Sequence, residues 1–388
     1  MEVRLNTDSL HRIIKYQDKI DSSFKKKVRT LRLTAGKSGL EVSFEDDRFK
    51  VVVADVPASV LEEGKLEILT EDLKTLPKDT VIAIGDNTIY GGGIAKTLRT
   101  EGLKQFYIPC TQDEHLEVYE IDSPNFFKCL ERVKYPTKKT DRLPFGQFVR
   151  FTLEGYMYSL DGYRISWAEG AGYMHDAVIP RNALDFLEQL NKDKIHNILI
   201  AKNSNSLVIE VPELKTVAEF KLFSEFKSKI KEFDNILDNF MKVDKGLMWE
   251  TEVKAKALIT ALKNFDTKDT KATDNKICID TTADTLKIEQ ESTALTTQSN
   301  TVSRVYCKEC QSKVYVNPNF LKQALDSYKK IERVDDTVYA NLRYYKTQGS
   351  YWFIKLEQKV YEEDIKAYDL ILPVRVAEET VRGKDYGR

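Results

Sequence analysis

Four histidines in 388 residues (His11, His115, His175 and His196), none paired with another at i, i+4, leave little material for imidazole catalysis or a histidine metal site. Cysteine is also scarce. Five residues (Cys110, Cys129, Cys278, Cys307 and Cys310) are too few and too scattered for the disulfide framework of a secreted domain, and read as reduced thiols. Cys307 and Cys310 form a lone CxxC between strand-like segments; without a second pair at ligand spacing they read as loop cysteines. No run approaches the roughly 18 apolar residues of a membrane span, and the opening MEVRLNTDSL alternates like a strand and unlike a signal peptide. A cytoplasmic protein without a membrane partner is the expectation.

Excess charge is missing too: the net charge is −1, so no global basic surplus announces nucleic acid. Gly91 to Thr97 (GGGIAKT) resembles a phosphate loop, but Ala95 stands where that motif needs glycine before lysine, and a hairpin turn is expected instead. The neighbouring carboxylates Asp46 with Asp47 and Glu362 with Glu363 point to opposite strand faces and make no acid–base pair. No catalytic residue, metal site or cofactor is expected.

What the chain has is a repeat. Met1 to Ile20, Leu116 to Tyr135 and Leu247 to Asp266 each read as a strand followed by a basic amphipathic helix. Between them lie Lys65 to Ile84, Ala177 to Ile200 and Lys313 to Leu342, each a strand, an acidic-to-mixed helix and a strand. Strict alternation of the two kinds predicts three equivalent α+β domains over 1–114, 115–243 and 244–376, with a polar tail over 377–388. Each would carry two helices on one face of antiparallel sheets. Gly39 to Val56, Phe148 to Trp167 and Lys276 to Ile288 alternate with period two and read as hairpins.

Positive charge concentrates on the first-kind helices. Ser9 to Arg29, Pro124 to Arg142 and Val253 to Lys271 together hold 18 Lys and Arg against six Asp and Glu, leaving about −13 for the rest of the chain. Leu10, Ile13 and Ile14 form a buried stripe in the first, with Arg12, Lys15 and Lys19 on another face. Phe126, Phe127, Leu130 and Val133 oppose Lys128 and Arg132 in the second; Leu258, Ala261, Leu262 and Phe265 oppose Lys256 and Lys263 in the third. Three equivalent cationic faces without interleaved aromatics suit duplex phosphate contact without base reading.

Three stretches carry a more specific likeness: Ser159 to Ile165 (SLDGYRI), Ala177 to Leu190 (AVIPRNALDFLEQL) and Asp369 to Val376 (DLILPVRV). In order and spacing they resemble the bacterial sliding clamp, the β subunit of DNA polymerase III, with its T-D-G-H-R-L turn, V-P-R-K helix start and M-P-M-R-L-like final strand. The resemblance covers nearly the whole chain. It implies three tandem clamp domains that close as a head-to-tail homodimeric ring around double-stranded DNA, a non-catalytic processivity factor serving a DNA polymerase and a clamp loader. It also implies a pocket for a short hydrophobic peptide, with Leu160, Gly162, Tyr163, Arg164 and Ile165 on one wall. Leu370, Leu372, Pro373, Val374, Arg375 and Val376 would form the other, with Asn317 and Phe320 beside them. Lys138, Lys139 and Arg142 fall where the family has a DNA-touching loop, beside Arg12, Lys15, Lys19, Lys128, Arg132, Lys256 and Lys263 on the helices. The family's F-P-D-Y-R-R stretch is represented only by Phe233 to Leu237 (FDNIL), without its proline and arginines, and twelve residues follow Val376. These departures point to a specialised clamp of a phage, plasmid or other mobile element. The alternative is a clamp-like regulator or decoy that binds replication proteins without encircling DNA.

Overall fold

A computed structural model describes residues 1–20, 29–98, 117–121, 124–137, 144–170, 176–202, 205–222, 224–241, 246–263, 265, 276–281, 284–291, 297–309, 312–331, 338–346, 352–359 and 365–374. In chain order, β1 (Glu2–Asn6) runs into α1 (Thr7–Ile20). There follow β2 (Thr30–Gly36), β3 (Gly39–Glu45), β4 (Phe49–Val56), β5 (Ala58–Glu62), β6 (Gly64–Leu69), α2 (Thr70–Lys74), β7 (Val81–Gly85), β8 (Thr88–Gly91) and β9 (Ile94–Thr97). The order begins again with β10 (Glu117–Ile121), α3 (Pro124–Val133), β11 (Phe148–Phe151), β12 (Tyr156–Leu160), β13 (Arg164–Glu169), β14 (Ala177–Pro180), α4 (Arg181–Lys192), β15 (Ile198–Lys202), β16 (Ser206–Val211) and β17 (Thr216–Lys221). After α5 (Ser224–Met241) it recurs as β18 (Leu247–Lys254), α6 (Ala255–Lys263), β19 (Ile277–Asp280), β20 (Thr285–Glu291), β21 (Thr297–Lys308), β22 (Lys313–Val316), α7 (Pro318–Ile331), β23 (Tyr339–Lys346), β24 (Trp352–Lys359) and β25 (Lys366–Ile371).

The fold is α+β, and all six strand–helix units form: β1–α1, β10–α3 and β18–α6 of the first kind, β6–α2, β14–α4 and β22–α7 of the second. Apolar periodicity explains them. In α1, Leu10, Ile13 and Ile14 are buried while Arg12 and Lys15 are exposed, and the Asn6 side chain accepts the Asp8 N–H at 2.9 Å to cap the helix start. In α6, Leu258, Ala261 and Leu262 are buried, as is Phe265 just beyond it. Gly92 and Gly93, at φ +59° and +80°, make the two-residue turn that pairs Gly91 with Ile94 across the β8–β9 hairpin.

By contact density the chain falls into two compact units, one of Met1–Phe127 with His175–Lys227 and one of Lys128–Met174 with Ser228–Arg388. The first holds two sheets, ordered β5-β1-β7-β8-β9 and β10-β15-β16-β17-β4-β3-β2-β6. Within it α1 packs on α4, with the Tyr16 and Phe186 rings edge to face at 5.5 Å. The second unit holds the continuous order β11-β12-β13-β25-β24-β23-β18-β21-β20-β19-β22, and its core gathers Trp249, Leu258, Leu262, Ile279, Leu321, Leu325, Leu342 and Leu356. These units cut across the sequence repeat for a physical reason. The ladders β17–β4 and β13–β25 carry sheets straight over the repeat boundaries, so density follows hydrogen-bonded strands.

The cysteines divide. Cys129 and Cys278 are buried free thiols, pushed up to about 12 and about 11 by burial. Cys307, read from the sequence as a reduced thiol, is disulfide-bonded instead, at an exposed position near the end of β21. Cys110 and Cys310 lie outside the described residues. No described helix is long and apolar enough to cross a membrane.

Candidate functional site

The SLDGYRI turn is built by one carboxylate. Asp161 Oδ1 accepts the backbone N–H groups of Tyr163 and Arg164 at 3.1 and 3.2 Å, while Asp161 Oδ2 takes the Arg164 Nε–H at 2.9 Å. Gly162 supplies the positive φ of +85° that the turn needs. The turn is thereby stiff, and it presents Tyr163 outward.

Two other segments meet it. Asn317 caps α7 by accepting the Asn319 N–H at 2.9 Å, which sets Phe320 in the first turn beside Tyr163, ring centroids 5.8 Å apart. Past β25, the Leu372 N–H donates to the Tyr163 carbonyl and the Val374 N–H to the Tyr315 carbonyl, both at 2.8 Å. Arg164 ties the parts together: its guanidinium lies over the rings of Phe320 (4.5 Å) and Tyr135 (5.0 Å) and donates to Gln323 Oε1 at 2.6 Å. Gly162, Tyr163, Phe320, Leu372, Pro373 and Val374 therefore form a continuous accessible apolar rim. Leu160, Ile165, Leu370, Arg164 and Asn317 belong to the same strands and helix start but are buried. Arg375 and Val376 lie outside the described residues.

Beneath the rim is a network that the periodicity of the sequence did not reveal. Arg132, expected on a DNA-facing helix surface, is instead wholly buried and ion-paired with Asp369. It also donates to Ser327 Oγ at 2.6 Å and stacks over the Tyr328 ring at 3.6 Å, and Tyr135 donates its hydroxyl to Asp369. Burial, then the Asp369 charge, raises the Tyr135 hydroxyl well above its ordinary value, so it remains a neutral donor. The clue in the sequence was Asp369 itself, a carboxylate directly before the apolar run Leu370 to Val374.

FDNIL is helical. Lacking the family's proline, it continues a helix, α5, whose Phe226, Ile230, Phe233, Leu237 and Phe240 recur at spacings of four and three. Phe233 and Leu237 are buried.

Of the remaining cations expected to face DNA, Arg12, Lys15, Lys256 and Lys263 are exposed and Lys19 and Lys128 are half-buried. Lys15 is held at 2.8 Å by Asp193, the residue that ends α4, and Lys19 at 3.3 Å by Glu188. Arg12, Lys15 and Lys19 line one cleft with Lys74 and Lys78, two cations that helix counting overlooked because they belong to the second-kind unit. Lys138, Lys139 and Arg142 lie outside the described residues.

No protein-family model and no curated protein sequence matches the chain. Solved structures do. The DNA polymerase III subunit β from Pseudomonas aeruginosa superposes with a TM-score of 0.75 at 14% identity, over 97% of this chain and 100% of that one. The DNA polymerase III β chain of Streptococcus pneumoniae gives 0.72 at 12% identity over the same shares. The DNA polymerase sliding clamp from Bacillus subtilis gives 0.72 at 13%, covering 97% and 100%. Across nearly its whole length, this chain has the fold of the bacterial DNA polymerase III β sliding clamps.

Proposed function

We propose that the protein is a DNA sliding clamp, a non-catalytic processivity factor that closes as a homodimeric ring around duplex DNA and tethers a polymerase, with a clamp loader to open it. The observation that carries this is a strand edge left over by the repeat. The third strand after the second helix of one repeat pairs antiparallel with the third strand after the first helix of the repeat before it: β17 with β4, then β25 with β13. The third instance, β9 with β21, is not formed among the described residues. Among the described residues β9 ends its sheet, and β21 is laddered to β20 over 297–303 and to β18 over 304–308, so neither is laddered to the other. Three domains over 1–114, 115–243 and 244–376, joined twice by one rule and left with complementary ends, close by applying that rule to a second copy. Six domains then bring Arg12, Lys128, Lys256 and Lys263, with Lys138, Lys139 and Arg142, to the hole. Phosphate contacts there hold DNA without register, so residence depends on closure more than on affinity.

The accessible rim from Gly162 to Val374 would receive an apolar peptide of the polymerase or loader. A clamp-like regulator that binds such peptides without encircling DNA is the second reading, favoured by the pairing of Lys15 and Lys19 with Asp193 at the end of α4 and Glu188 within it. Retention on circular DNA separates the two. Protein loaded on a nicked circle should stay through gel filtration in high salt and be lost once the circle is linearised, and its solution mass should be twice the 44.7 kDa chain. A monomer that leaves circles and linear DNA alike would favour the regulator.

A further inference from the structure

Strand register places the pocket residues on a definite face. Arg150, Tyr158, Trp167, Tyr368 and Glu357 stand opposite one another across β11, β12, β13, β25 and β24, and so share one side of the sheet. Two residues along, Leu160, Ile165, Leu370 and Lys355 form the next row on that side. The opposite side is the one that meets α3 and α7: Ser166 and Asp369 bond Arg132 there, and Ser159 bonds the Val133 carbonyl. Leu160, Ile165 and Leu370 therefore owe their burial to something other than those helices.

The element over them is α5. Its Phe233 ring lies 6.1 Å from Phe148 on β11, and Asp234 accepts the Tyr158 hydroxyl at 2.5 Å with Arg150 at 3.6 Å. At the far end Phe240 meets Phe353 on β24 edge to face at 5.3 Å. A helix in contact with β11, β12 and β24 passes over β13 and β25 between them, across the row of Leu160, Ile165 and Leu370. Leu237, 1% exposed and midway between the two anchors, is the residue of α5 placed to cross it.

We propose that α5 is an occupant, in cis, of the inner part of the partner groove, so that a partner reaches Leu160, Ile165 and Leu370 only by exchanging with it. This rests on the reading of the rim as a peptide-docking surface. The exchange fixes the partner's chemistry. It is an amphipathic helix with apolar residues at i, i+4 and i+7, and a carboxylate one position after the first for Tyr158 and Arg150. A partner lacking that pattern is confined to the outer rim of Tyr163, Phe320 and Leu372.

The test uses the full chain and a fluorescein-labelled synthetic peptide of residues 228–241 as probe. Asp234→Ala removes the polar latch and Leu237→Asp the central anchor, and each should bind the probe at least tenfold more tightly than the unmodified chain. Adding Leu372→Asp at the rim should abolish that gain. Asp234 is only half-buried, so its variant serves if Leu237→Asp does not fold. Equal affinity of the unmodified and Asp234→Ala chains, with Leu372→Asp still abolishing binding, would overturn the cover and leave the groove as receptor. Absence of binding to every chain would overturn the cover as well, and retention on circular DNA would remain the separate measure of the clamp reading.

Discussion

Arg132 and Asp369 form an ion pair in which both side chains have no solvent exposure, and it joins the end of α3 to the strand that leads into the candidate groove. Burial alone would favour loss of the guanidinium proton, but the Asp369 charge outweighs it and raises Arg132 above its ordinary value. Removing one partner leaves the other charge stranded. Arg132→Met should therefore cost about 3–5 kcal/mol in urea unfolding. Pairing it with Asp369→Leu should recover most of that loss, because two apolar side chains of similar volume leave no orphan. Little recovery in the double variant would show that Ser327 and Tyr135, and not the charge pair, dominate the site.

The rim predicts a graded response. Phe320→Ala removes the ring under Arg164 and beside Tyr163, contacts within the chain of about 0.5–1.5 kcal/mol each, and should lower the unfolding midpoint modestly while weakening binding of a labelled apolar peptide about tenfold. Calorimetry reads the first and fluorescence anisotropy the second.

Gly162→Ala acts on the same turn by another route. A side chain at φ +85° costs about 1–2 kcal/mol, and a relaxed turn moves Tyr163, whose carbonyl anchors Leu372. The expected result is a lower midpoint together with weaker peptide binding. A lower midpoint with unchanged binding would place Gly162 outside the groove's geometry.

The repeat was legible because it lives in local periodicity: Leu10, Ile13, Ile14, Phe126, Leu130, Leu258 and Leu262 are buried as their spacing requires. The turn at 160–165 and the strand after Asp369 came together because both carry specific side-chain patterns. Arg132 was misread because its partner stands 237 positions away, and no window along the helix contains that fact. The helix at Phe233 to Leu237 is written in an apolar spacing of four and three, which likeness to a family segment does not convey. Sheet continuity from β17 to β4 and from β13 to β25 was beyond reach, since edge pairing depends on which strands the fold brings side by side.

Asp193 holds one lysine of the candidate DNA-facing helix. It accepts from Lys15 at 2.8 Å, Gln189 at 3.0 Å and Tyr16 at 3.3 Å; burial would raise its carboxyl, but these bonds outweigh it and hold it below the usual range. A depressed carboxylate stabilises the fold above its unfolded value, about 3.9, and that contribution fades as pH falls through the lower folded value. The unmodified chain should thus lose up to about 1 kcal/mol of α1–α4 docking on acidification below about pH 4, and Asp193→Asn should not show that loss. The same substitution releases Lys15 toward the cleft it shares with Arg12 and Lys78. One further cation on phosphate steepens the dependence of log K on log salt by about 0.9. If α1 faces DNA, Asp193→Asn therefore binds duplex more tightly at low salt with a slope steeper by that amount. An unchanged slope beside the altered pH profile would mean that the clasp is purely structural and that α1 lies away from the DNA.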